Sequence, residues 1–174
     1  MITLSGNTIY LRALEPEDLD FLYTLENDEK VWEVSETLAP YSKFILKEYL
    51  ANSHKDIFEV KQLRLAISNY NNKLLGFIDI FDFNPKNKRA GVGIVVLEEA
   101  NRNKGVGREA LSLLIDYAFN HLDLHQLYAN ISESNKPSIH LFSNLGFERI
   151  GIKKDWNYTS GKFQNEILYQ KINK

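Results

Sequence analysis

The chain contains no cysteine. That removes disulfides, thiolate nucleophiles and cysteine-ligated metals, and suits a reducing compartment. No apolar run approaches the ~18 residues that a membrane-spanning helix needs. The opening, MITLSGNTIYLRAL, lacks the basic segment and apolar core of an export signal. A cytoplasmic protein with no membrane partner is therefore expected. Neither sign of charge dominates: 21 Lys and Arg stand against 23 Asp and Glu, a net charge of -2. There is thus no bulk attraction to nucleic acid or anionic lipid. His121 and His125 stand at His-x-x-x-His spacing with Asp123 between them, but Leu122 occupies the place of the glutamate in the zinc-binding His-Glu-x-x-His pattern, and His54 and His140 lie apart from that pair in sequence, so no metal is predicted. Repeats and low-complexity linkers are absent as well, and partners must be argued from local sites.

What is present fits one domain. At 174 residues, 44% hydrophobic and 25% charged, the chain can bury its apolar surface in a single core spanning 1–174. Residues 9–14 alternate as a strand, and Glu15, Pro16, Glu17 and Asp18 supply a first helical turn that Leu19, Leu22 and Leu25 continue. Residues 26–41 are acidic and aromatic without a clean period, which predicts a loop or short helices. Ser42 is placed to cap a helix reaching Leu50, and 51–57 is a polar connection. The strand-like runs 63–68 and 74–83 flank NYNNK, an antiparallel hairpin signal, and a turn at 84–88 leads into a third strand at 89–97. After a long helix come a short strand at 126–131 and a helix at 137–145 stopped by Gly146. Two tail strands, 147–154 and 163–172, are joined by a turn around Thr159, Ser160 and Gly161. The order predicts an α+β fold, a mixed and mostly antiparallel sheet of about seven strands flanked by helices.

The rest of the chain is arranged around 102–110, RNKGVGREA. It follows a small, β-branched strand and opens a helix marked by Leu111, Leu114, Ile115, Ala118, Phe119 and Leu122. A glycine-rich helix start offers unpaired N–H groups at the positive end of the helix dipole, a geometry that holds phosphate. Arg102, Lys104 and Arg108 add charge. A Walker loop is excluded, because Gly107 is followed by Arg108 and Glu109 rather than Lys and Ser or Thr. Gly105, Gly107 and Ala110 satisfy the dinucleotide spacing G-x-G-x-x-A, but residues 98–104 separate them from the strand and antiparallel strands precede them. A bland helix start is disfavoured by two glycines and three cations together.

Arg102, Gly105 and Gly107 match the phosphate motif of the GNAT superfamily of acetyl-CoA-dependent N-acetyltransferases: Arg or Gln, two residues, Gly, one residue, then Gly or Ala. The segment from Asn135 to Phe147, NKPSIHLFSNLGF, resembles the second cofactor segment of that family, and the order of elements agrees over nearly the whole chain. The chain resembles in particular bacterial spermidine and ribosomal-protein N-terminal acetyltransferases, also in its opening IYLRALEPEDLDFLYTLEND. The resemblance implies acetyl-CoA as acetyl donor. Strand backbone around Ile94, Val95 and Val96 would hold the pantetheine arm and donate to the oxyanion. Arg102, Asn103, Lys104, Gly105, Val106, Gly107 and Arg108 would hold the pyrophosphate. The strand at 126–131 would diverge to leave a slot, with Asn130, Asn135, Ser138 and Phe142 completing the cofactor site. Asn135 has a second reading, as a helix cap before Pro137.

Phe142 stands where many members carry a tyrosine proposed to protonate the departing sulfur. A phenylalanine has no proton to give, and it is expected to pack against pantetheine or substrate. A thiol of reference pKa ~8.5 leaves as thiolate near neutral pH, so no side-chain acid is required. Tyr128, His140 and Ser138 are substitutes by sequence proximity only. The base is equally unassigned, with Glu33, Glu36, Asp79, Asp82 and Glu166 as candidates. An α-amine near pKa ~8 needs little help, while a polyamine or lysine amine near ~10.4 needs a base or a water chain. Acceptor binding is placed on Trp32, Glu33 and Glu36 of the acidic segment, with Tyr41, Trp156 and Tyr158 as further aromatic cover. The acceptor is a small-molecule amine or a protein N-terminus, and a homo-oligomer is left open. The competing class is an acetyl-CoA-binding sensor or partner-binding module with weak or lost turnover, kept alive by Phe142 and the missing base.

Overall fold

The structure, a computed structural model, describes residues 3–97 and 105–174. Among the described residues seven strands form one sheet: β1 (Ile9–Arg12), β2 (Leu63–Asn69), β3 (Leu74–Asn84), β4 (Arg89–Val96), β5 (Gln126–Ser132), β6 (Glu148–Thr159) and β7 (Lys162–Ile172), in the order β1-β2-β3-β4-β5-β7-β6. Every neighbouring pair is antiparallel except β4 and β5. The α+β class and the strand count expected from sequence are observed.

Alternation along β3 assigns the two faces. Ile78 and Ile80 point into a core with Leu111, Leu114 and Ala118 of α5 (Val106–Asn120) and Phe142 of α6 (Lys136–Asn144). Phe77 points the other way, to Leu22 and Leu25 of α1 (Leu19–Glu26) and Leu46 and Leu50 of α3 (Lys43–Ala51). A strand buried on both faces reads as a continuous apolar run, as LLGFIDIF does. Each leucine fully buried on these helices contributes roughly 1.5–3 kcal/mol, so the helix stripes hold both layers onto the sheet.

The local signals act as expected at the helix ends. The Ser42 hydroxyl accepts from the N–H of Ile45 at 3.2 Å and starts α3, and Gly146 takes φ +83 after α6. Segment 26–41 contains one short helix, α2 (Glu29–Ser35), capped by Asp28, which accepts from the N–H of Lys30 at 3.0 Å. Two features differ from the sequence reading. A one-turn helix, α4 (Ile57–Val60), follows the polar connection, capped by Asp56 and held by Phe58 edge-on to Phe83. β6 runs on to Thr159, because its ladder to β7 absorbs a bulge between Lys153 and Asn157 with Asp155 at φ +49.

Candidate active site

Among the described residues the one parallel strand pairing is also the shortest. β4 and β5 are in register at Arg89↔Gln126, Ala90↔Leu127 and Gly91↔Tyr128, and there the ladder stops. β4 continues to Val96 along β3, and β5 continues to Ser132 along β7, so the two strands part beyond Gly91 and Tyr128. The N–H of Leu97 bonds the carbonyl of Leu75 at 2.9 Å, which directs the odd-numbered residues of β4 toward β3. Ile94 has the opposite parity, and its N–H and carbonyl face the gap. A cleft of about 970 Å³ opens here. Its walls are Ile94, Val95 and Val96 of β4, then Gly105, Gly107 and Arg108 at the start of α5. Asn135, Pro137, Ser138 and Leu141 close it from α6.

Gly105 is the N-cap of α5 at φ +81, a conformation that needs no Cβ. Gly107 keeps the wall low: a Cβ there would meet Leu141 at 3.5 Å and Ile94 at 3.9 Å. The N–H groups of Val106, Gly107 and Arg108 belong to the first turn and lack intrahelical acceptors. Together with the helix dipole they make this end of the cleft attractive to an anion. Glu109 does not oppose that potential. Its carboxylate accepts from the N–H of Thr8 at 3.0 Å, from the Thr8 hydroxyl and from the N–H of Asn7. Partial burial pushes its pKa up, but these bonds from Thr8 and Asn7 outweigh it and hold the group below the usual carboxylate range. Arg102, Asn103 and Lys104 lie outside the described residues.

The Acetyltransferase (GNAT) domain matches residues 8–148 of the chain. The chain belongs to the GNAT acetyltransferases. Among relatives of this GNAT acetyltransferase is the spermidine N(1)-acetyltransferase of Vibrio cholerae serotype O1, 28% identical over 163 residues, covering 92% of this chain and 90% of the relative. The enzyme of the same name from Escherichia coli K12 is 28% identical over 166 residues, covering 94% of this chain and 85% of its own length. The crystal structure of the Vibrio cholerae spermidine N-acetyltransferase in complex with CoA and spermine superposes with a TM-score of 0.84 at 25% identity, covering 96% of each chain. A dodecameric structure of that enzyme in an intermediate state has a TM-score of 0.79 at 25% identity, covering 96% of this chain and 95% of its own.

Within this GNAT chain, the site residues named from sequence separate into two groups. Asn135 both lines the cleft and caps α6, accepting from the N–H of Ser138 at 3.3 Å. Ser138 lines the cleft beside it. Phe142, expected against the pantetheine, turns inward instead: it is 3% exposed and packs edge-on to Phe147 with ring centroids 5.0 Å apart. The reason is helical phase. Pro137, Leu141 and Asn144, at i, i+4 and i+7, run down the cleft face of α6 with Ser138 at its edge, and Phe142, about 100° further round than Leu141, lies on the face toward the sheet. Asn130 is also absent from the cleft lining, and its side chain accepts from Lys153 at 3.1 Å.

The same separation holds for the proposed acids and bases. The phenol of Tyr128, at the vertex where the strands part, donates to Asp82 at 3.2 Å. Burial and then the Asp82 charge push it up to about 12, so it is fully protonated at neutral pH. Asp79 is gripped by Arg64, Nε to Oδ1 at 2.7 Å and Nη2 to Oδ2 at 3.2 Å, while Nη1 reaches Glu26 at 2.6 Å. Burial raises the Asp79 carboxyl and Arg64 offsets only part of that. Burial alone would lower Arg64, but Asp79 and Glu26 hold it above its ordinary value, fully charged. Glu166 is committed to Lys153 at 2.7 Å and to Asn157 at 2.9 Å.

Segment 26–41 does reach the cleft, but through other residues. α2 lines it with Lys30, Val31 and Val34, preceded by Asp28. Glu33 instead accepts from the Ser160 hydroxyl at 3.4 Å, and Glu36 is exposed at φ +57. The Trp32 indole N–H donates to the Glu26 carbonyl at 2.6 Å. Val31 and Val34, like Pro137 and Leu141, were missed by the sequence reading. Their signal is i, i+3 or i+4 spacing, which points at a cleft only once the helix boundaries are known.

On the α1–α3 face β4 carries glycine at 91 and 93. An added Cβ at Gly91 would collide with the Phe81 ring, whereas Gly93 has only Phe81 nearby, at 3.8 Å. A trough therefore runs over Gly93, with Asp79 on one side, opposite it in register, and Tyr128 and Asn130 of β5 on the other. The Glu33 to Ser160 contact ties α2 to the β6–β7 turn across this face.

Proposed function

We propose that all 174 residues form one domain that transfers the acetyl group of acetyl-CoA to a primary amine by direct attack in a ternary complex. The observation that carries this is the parting of β4 from β5, which leaves the Ile94 N–H facing a gap with an anion-favouring helix start at one end. In this reading the pyrophosphate rests on the N–H groups of 105–108 with the cations of 102–104, and Asn135 and Ser138 face the pantetheine arm. The amine reaches the acetyl group neutral, its ammonium proton lost to water. The Ile94 N–H donates to the oxyanion as the amine nitrogen bonds to the acetyl carbon, the C–S bond then breaks to release thiolate, and the surplus proton on nitrogen passes to solvent or to that thiolate. No tyrosine is needed at position 142, because a thiol of pKa ~8.5 is a competent leaving group. The amine enters from the opposite face through the trough over Gly93. A small cationic amine is the favoured acceptor, supported by the relatives named for spermidine. The dodecameric relative supports a homo-oligomer.

The test is release of free thiol from acetyl-CoA across a panel of amines. Acceptor-dependent release is expected, strongest with a cationic alkylamine. Tight acetyl-CoA binding with no acceptor-dependent release from any amine would sink the enzyme reading in favour of a cofactor-binding sensor. That second reading is favoured by one observation, the commitment of Asp79, Asp82 and Glu166 to partners of their own.

A further inference from the structure

Lys153 of β6 is held by three partners of different kinds. Its Nζ lies 2.7 Å from the Glu166 carboxylate, 3.1 Å from the Asn130 amide oxygen and 4.6 Å from the centroid of the Trp156 ring. Carboxylate, amide oxygen and indole face are the three kinds of group that recognise a primary alkylammonium. The arrangement is built rather than incidental. In a regular strand, residues 153 and 156 point to opposite faces. The bulge between Lys153 and Asn157, with Asp155 at φ +49, is what brings both to one side. The second oxygen of Glu166 accepts from Asn157 at 2.9 Å, so the carboxylate is oriented independently of the lysine.

Burial separates host from guest. The Glu166 side chain is 13% exposed and Lys153 31%, while Trp156 is 57% exposed. A buried carboxylate requires a cation, and the cation it has sits on a flexible stem with solvent behind it. Asn130 lies two residues beyond Tyr128 on β5 and so shares the face of the trough over Gly93, on the strand that borders the gap, with Glu166 on β7 one strand further out.

We propose that Asn130, Glu166 and Trp156 form a second ammonium site in the acceptor trough, which takes the distal ammonium of an α,ω-diamine or polyamine and which Lys153 fills in the free protein. The identification of the ligand as an acceptor rests on the acetyl-transfer reading; the site itself does not. An acceptor with one amine leaves Lys153 in place. An acceptor with two displaces it, exchanging one ammonium for another at Glu166.

The experiment is calorimetric titration, in the presence of CoA, with an α,ω-diamine series and the matched monoalkylamines. Lys153→Met keeps the methylenes and empties the site. The ratio of diamine to monoamine affinity should rise about tenfold, the size of one charge-assisted hydrogen bond freed from internal competition. Adding Glu166→Gln should abolish the rise. Trp156→Leu, at an exposed position that the fold does not depend on, should reduce it and covers the case in which the Glu166 variant fails to fold. An unchanged ratio in Lys153→Met, or a rise that survives both added changes, overturns the proposal. Thiol release is followed in parallel. Its absence with every amine while the ratio still rises removes acetyl transfer and leaves the site, and its presence with an unchanged ratio removes the site alone.

Discussion

Gly105 and Gly107 stand two residues apart and serve different ends. Gly105 has φ +81 and open space around it, so alanine there meets no clash but is strained in the left-handed region, at about 1–2 kcal/mol. Gly107 has ordinary helical backbone, and its Cβ would make only normal contacts with Leu141 and Ile94. The strained position thus belongs to folding and the relaxed one to the cleft. Gly107→Ala should melt close to wild type. Gly107→Val should also fold, yet bind acetyl-CoA at least about tenfold more weakly, because its methyls would stand where the backbone must approach a phosphate. Calorimetry on the folded variant checks this, and unchanged affinity would remove the phosphate from this helix start.

At the scale of elements, the corner between α1 and α2 decides what the cleft presents. Arg64 on β2 joins Asp79 on β3 to Glu26 at the end of α1, and the Glu26 carbonyl receives the Trp32 indole. α2 is a short helix with no buried residue of its own, so this network and its Asp28 cap do much to fix its orientation. Replacing Arg64 by Met would leave two largely buried carboxylates sharing no cation. A loss of about 3–5 kcal/mol in urea denaturation at neutral pH is expected. A loss below about 1 kcal/mol would mean that the carboxylates find water and that the corner is held by packing alone.

For the whole molecule, acid stability turns on where the carboxylates are held. Asp18 is buried beneath the Arg12 guanidinium, with bonds of 2.8 and 2.9 Å, and also accepts from the N–H of Glu15 at 2.8 Å. Burial pushes its pKa up, but Arg12 and the Glu15 N–H outweigh that, and the folded value lies below the ordinary one. A lowered folded pKa means that the stabilisation is fully present above the unfolded aspartate value of ~3.9 and is lost as pH falls through the folded value. Asp18→Asn should therefore lower the urea midpoint at neutral pH, with the gap to wild type closing as the pH drops below ~4. A gap that stayed constant with pH would assign the loss to geometry rather than charge.

Much of this was legible in the chain because it is local. Strand and helix periods, the Ser42 and Asn135 caps, the Gly146 stop and the glycines opening α5 each depend on neighbours within a few residues, and each was readable. With seven strands in that order the sheet class follows. Other decisions were made between segments distant in sequence. The β4–β5 ladder ends after three residue pairs because β4 continues along β3 and β5 along β7, and no residue in either strand announces it. Whether Leu141 or Phe142 faces the cleft depends on how α6 is rotated against the sheet. Glu33, Asp79 and Glu166 are acids in the sequence, but Ser160, Arg64 and Lys153 decide what each does, from 127, 15 and 13 residues away. A local pattern specifies which element forms, whereas the partner of a charge and the direction of a side chain are settled only when elements pack.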